Sequence, residues 1–189
     1  MKRRTVIRSL AASAAASPAV ASTGWSNSFA RQLRDDMLSH WRSTKEYSLE
    51  VLEAMPPEHF DFRPVEEQMT FAEQLTHFSS SNAGYFSGFG KDVAGPRPQR
   101  PEMLTKDAVR TFSQATFAYV ETILSNLTEA DFSRRDILFS SRSGPHTAQD
   151  IFFRAYMHTA HHRGTIIAYL RLKGIAPPRW RFPPSGAKV

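Results

Sequence analysis

The residues of this chain best suited to hold a metal ion lie in Tyr156-Met157-His158-Thr159-Ala160-His161-His162-Arg163-Gly164, which places three of its seven histidines within five positions. In a helix, residues four apart stand one above the other on a single face, about 5–6 Å between Cβ atoms, so His158 and His162 are spaced to close on one cation. A buried imidazole carries a polar nitrogen that must find a partner. Two of them on the packing face of one helix therefore suggest a ligand pair. His161, at i+3 from His158, is the alternative partner, but it falls off the stripe of Ile151, Ala155, His158, His162, Ile166 and Tyr169. That places it on a flank or at a pocket rim.

A third ligand has to come from another helix. His77 is the best placed, at the inward edge of a helical segment beside Phe78 and one turn from Gln74. His40 stands beside a surface or in packing, His59 in a connector and His146 at a helix start. The chain has no cysteine, which excludes disulfides, a thiolate nucleophile and Cys-ligated zinc; a metal here is held by histidine, carboxylate or water. Three histidines with an open fourth position form a catalytic type of site, because that position can take water or substrate. Gln74, Tyr156 and Arg163 are close enough in sequence to line such a pocket, Arg163 being equally compatible with the surface.

Positioning these side chains falls to four helical segments. Residues 27–54 lack Pro and Gly, carry Leu33, Met37, Trp41, Val51 and Met55 at helical spacing, and stop at Pro56-Pro57. Glu58 to Pro64 is a connector pinned by Phe60 and Phe62. Thr70-Phe71-Ala72-Glu73 has the form of a capping box and opens a second helix that ends near Gly88 and Gly90. Gly95 to Pro101, rich in proline, reads as an exposed extended loop. Thr105 caps a third helix over 106–126. Residues 128–144 are mixed, with Asp136 to Phe139 able to extend. Thr147-Ala148-Gln149-Asp150 is a second capping-box form and starts the histidine helix, which runs to about Leu172 before Lys173-Gly174. The tail after Pro178 brings Trp180 and Phe182 back across the body. Four long helices without a convincing strand or repeat give an all-α, four-helix bundle over residues 22–178, with 179–189 as a tail.

The first 21 residues read as a cleavable export signal. Lys2, Arg3, Arg4 and Arg8 precede a weakly apolar, alanine-rich stretch and an Ala19-Val20-Ala21 cleavage site, and Arg3-Arg4-Thr5-Val6-Ile7-Arg8 is similar to a twin-arginine signal. The protein is then expected outside the cytoplasm, periplasmic or extracellular. Removing the signal leaves 20 Lys and Arg against 18 Asp and Glu, where the full chain has 24 against 18. The basic balance belongs mostly to the leader. A nucleic-acid partner has little support, nor does stable membrane insertion after cleavage; a homodimer and a small-molecule substrate remain compatible.

Phe60-Asp61-Phe62-Arg63-Pro64, Glu73-Gln74-Leu75-Thr76-His77 and His158-Thr159-Ala160-His161-His162-Arg163-Gly164, followed by Tyr169-Leu170-Arg171 and Gly174, together resemble the DinB-like (damage-inducible) metalloenzymes over about Ala30 to Pro178. The resemblance implies a four-helix bundle holding a divalent metal, zinc or nickel, through His77, His158 and His162. It also implies thiol-dependent transferase or isomerase chemistry. Glutamine often follows the HRG in that family, and Thr165 stands there in this chain. Two readings follow: an exported metal-dependent enzyme, a transferase or hydrolase, or a non-catalytic exported bundle whose metal is structural or serves binding.

Overall fold

Three threonines fix where three of the four long helices begin. In a computed structural model, which describes residues 23–140, 142, 144–180 and 182–184, Thr70, Thr105 and Thr147 each accept a hydrogen bond from the backbone N–H three residues on. The helices are α1 (Thr23–Ala54), α2 (Phe71–Ser87), α3 (Lys106–Ser125), the short α4 (Glu129–Ser133) and α5 (Ala148–Leu172). At α2 both halves of the capping box form, Thr70 Oγ1 accepting from Glu73 N at 3.1 Å and Glu73 Oε2 from Thr70 N at 2.8 Å. At α5 only the threonine half forms, because the Asp150 carboxylate is taken by His146 and by Arg154. The far end of α5 closes in a Schellman motif: Gly174, at φ 73°, donates to Arg171 O and Ile175 to Leu170 O.

Side-chain contacts set the direction of each helix. Trp41 Nε1 donates to Phe117 O at 3.2 Å and Lys106 reaches Met55 O, so α1 and α3 are antiparallel. The contact pairs His40–Tyr156 and Ser48–Arg163 make α1 and α5 parallel. Gln74 meets His162 while Tyr85 meets His158, which makes α2 antiparallel to α5. Each of α1 and α2 packs against both α3 and α5. Chain neighbours α1 and α2 thus stand across the bundle diagonal, and α2 and α3 run parallel.

Burial of Trp41, Phe71, Phe78, Phe86, Phe117, Tyr169 and the aliphatic residues between them builds one core. Full burial of one large apolar side chain contributes about 1.5–3 kcal/mol, so this layer dominates stability. The expected segment 128–144 resolves into α4 and a lone antiparallel bridge between Ile137 and His146. That bridge lies over the end of α2, where a Cβ on Gly88 would come within 2.7 Å of Leu138 O. Glycine is what allows the close approach, and it brings the Phe139 ring onto Tyr85. Among the described residues no helix is long and apolar enough to cross a membrane. The expected export signal of residues 1–21 lies outside the described residues.

Candidate metal centre

Helices α2 and α5 bring His77, His158 and His162 together, with one ligand nitrogen from each lying within 4.8 Å of the others. The ring centroids are 5.0 Å apart for His77–His158, 4.7 Å for His77–His162 and 4.5 Å for His158–His162. The two α5 rings face each other through Nε2, 3.0 Å apart. Two nitrogens bound at about 2.0–2.1 Å and subtending about 90–110° at a cation lie about 2.8–3.4 Å apart, so this pair is set at ligand spacing.

Hydrogen bonding fixes one tautomer. Gln74 Oε1 accepts from His162 Nδ1–H, which leaves the His162 Nε2 lone pair aimed into the cluster. Gln74 is three residues before His77 on α2, so one helix supplies both a candidate ligand and the group that orients another. His158 Nδ1 is buried without a hydrogen-bond partner among the described residues. With its proton on Nε2, His158 donates to His162 and leaves a buried acceptor at Nδ1; with the proton on Nδ1, two lone pairs oppose each other at 3.0 Å. Neither arrangement satisfies both rings; a cation held by both Nε2 atoms removes the opposition of lone pairs and leaves the His158 proton on Nδ1.

The electrostatics favour neutral imidazole. Burial, followed by the neighbouring His77 and His161, pushes His158 down to about 4. Burial and then His158, His77 and His161 push His162 down to about 4 as well. His77 is lowered by burial and by the positive charge of Arg100. Neutral rings present lone pairs at physiological pH, as metal ligation requires.

The remaining histidines separate from this group. His161 is exposed with its ring 5.0 Å from His162, at the rim. His40 packs edge-on to Tyr156, and His146 bonds Asp150 and stacks on Phe139. Tyr156, expected near the pocket, instead packs with Phe152, Phe182 and His40 on the α1 side. Arg163 neither lines the pocket nor lies on the surface. It is 5% exposed, donating to Ser48 Oγ and Thr44 O under the rings of Tyr47 and Phe182. Two contributors were not legible from spacing: Tyr85, whose ring lies 6.0 Å from His158, and Arg100, whose charge reaches His77 from the proline-rich loop.

His77 also lines a surface cleft of about 260 Å³, bounded by Arg63, Glu66, Glu67, Glu73 and Arg100. Of the three clustered histidines, His77 is the one that lines this cleft.

Comparison with known proteins agrees with this architecture. The uncharacterized protein YjoA of Bacillus subtilis is 25% identical over 143 residues, 74% of this chain and 90% of that protein. The crystal structure of YjoA, a DinB-like protein, superposes with a TM-score of 0.60 at 24% identity, covering 77% of this chain and 96% of that one. A DinB-like protein from Bacillus cereus gives a TM-score of 0.63 at 19% identity, covering 76% and 94%. The family model for DinB matches residues 26–184, nearly the whole described chain, and the protein belongs to the DinB family.

Proposed function

We propose that this protein is a metal-dependent enzyme in which His77, His158 and His162 hold one divalent cation, zinc or nickel, with a coordination position open to substrate. The observation that carries the reading is the 3.0 Å approach of two Nε2 atoms, with a ligand nitrogen of His77 within 4.8 Å of both. A bound divalent ion supplies Lewis acidity, which polarises a coordinated group or lowers the pKa of a coordinated thiol or water. The chain's own part is to keep the rings neutral, to orient His162 through Gln74 and to admit a small substrate on the His77 side. Transferase or hydrolase chemistry on a small molecule fits such a site, and the leader supports action outside the cytoplasm.

Metal analysis of the purified mature protein tests this reading. One ion per chain is expected in the wild type and none in His158→Ala/His162→Ala. Equal, substoichiometric metal in both proteins removes the basis for it. Chelation separates enzyme from structural clip: loss of turnover with little change in melting temperature supports catalysis, while a large fall in melting temperature without any turnover supports the structural role.

A further inference from the structure

The cleft beside His77 has a charge pattern that the metal cluster does not use. Arg63 comes from the connector after α1 and Arg100 from the proline-rich loop before α3, so two segments distant in sequence place guanidinium groups around one opening. Neither arginine has a hydrogen-bond or ion-pair partner among the described residues, and the same holds for Glu66 and Glu67, which line the same cleft. Glu73 is committed to the α2 cap through Thr70 N. The walls thus offer two free cations and two free carboxylates around about 260 Å³, below the roughly 300–1,000 Å³ of pockets that take drug-sized ligands. Arg63, Arg100 and His77 all line this one opening.

Resting on the metal reading above, we propose that the cleft binds a small zwitterionic substrate of the amino-acid type. Its carboxylate is held by Arg63 and Arg100, and its ammonium group by Glu66 and Glu67. Guanidinium forks match carboxylates geometrically, and charge-assisted hydrogen bonds are about twice as strong as neutral ones. Such a molecule satisfies both sets of free charges at once, whereas a simple anion or a simple cation leaves one set facing it with no partner.

Calorimetric titration of zinc-loaded protein at low salt tests this with 4-aminobutyrate, its N-acetyl derivative and its amide, none of which chelates zinc strongly. The zwitterion is expected to bind about tenfold more tightly than either singly charged analogue, a difference of about 1.4 kcal/mol. Arg63→Ala/Arg100→Ala should weaken the zwitterion and the N-acetyl anion together. Glu66→Gln/Glu67→Gln should weaken only the zwitterion and the amide. All four positions are exposed, and a thermal melt of each variant confirms folding. Metal content is measured in every sample. A wild type that takes up no zinc overturns the metal reading and this assignment with it. A wild type with one zinc per chain that binds all three probes equally, or binds the zwitterion unchanged in the arginine variant, overturns this assignment alone.

Discussion

His162 and Arg163 are adjacent in sequence, similarly buried and both polar, yet they leave α5 in different directions and meet opposite treatment. His162 turns to α2, where Gln74 Oε1 accepts a hydrogen bond from its Nδ1–H and its Nε2 faces His158 and His77. Arg163 turns to α1, where Ser48 Oγ at 3.2 Å, the Thr44 carbonyl and the Tyr47 and Phe182 rings enclose its guanidinium. No acid pairs with Arg163 among these contacts, and burial lowers its affinity for its proton. Its donors and its charge are spread over oxygen atoms and π faces, and the orphan atom beside it, Thr44 Oγ1, is a hydroxyl and not an imidazole nitrogen. On the His162 side one nitrogen is left without a partner and a cleft stands open. Burial of a polar group is thus no sign of function by itself; incomplete satisfaction beside an accessible cavity is.

The contrast breaks most completely if the histidine face turns out to be structural. His158→Ala/His162→Ala should abolish stoichiometric metal while the metal-free variant still folds, as judged by circular dichroism, because α5 keeps Ile151, Ala155, Ile166 and Tyr169 in the core. Arg163→Ala should do the reverse, costing about 2–4 kcal/mol in urea denaturation through the cavity and the lost stem packing, with metal content unchanged. Arg163→Met, which keeps volume and removes the buried charge, should stay within about 1.5 kcal/mol of the wild type. A large loss of metal in either Arg163 variant would join the two faces into one site.

Gln74→Leu sharpens the same contrast, since it removes the acceptor that orients His162 and should weaken metal binding about 10–100-fold without unfolding α2. Competition titration with a chromophoric chelator reads that change. A pH series gives a smaller effect. His158 and His162 are held at about 4 when folded, against an ordinary value of about 6.5 in the unfolded chain. The unfolded chain therefore takes up protons first as pH falls, and metal-free protein should lose stability between about pH 6.5 and 4. That slope should flatten in His158→Ala/His162→Ala. The smallest expected effect is Phe182→Ala, which uncovers one face of the Arg163 guanidinium and should cost about 1 kcal/mol with no change in metal content.

The helices were legible because their signals are local: Thr70, Thr105 and Thr147 mark starts, Pro56 and Gly174 mark ends, and the apolar spacing between them is helical. The second capping box at α5 was only half right, since His146 and Arg154 compete for the Asp150 carboxylate. Over 128–144 the mixed composition concealed α4 and the Ile137–His146 bridge, which depend on the end of α2 and the start of α5 for support. Arg163 was read as pocket or surface because its sequence neighbours are histidines. Its partners, Tyr47, Ser48 and Phe182, come from α1 and the tail, and no spacing within α5 points to them.

By itself, then, the sequence determined the all-α architecture and the spacing of His158 and His162 at one helical turn, and it pointed to His77 as the best candidate for a third histidine. Those follow from the fixed geometry of a helix and from hydrophobic periodicity, both of which act over a few residues. Tertiary structure alone decided that α2 runs antiparallel to α5, which sets Gln74 against His162 and Tyr85 against His158. It likewise decided that Arg63 and Arg100, 37 positions apart in the chain, share a cleft with His77. Such juxtapositions depend on how whole helices pack around Trp41, Phe78 and Phe117, an outcome of summed burial over the core that no local pattern encodes.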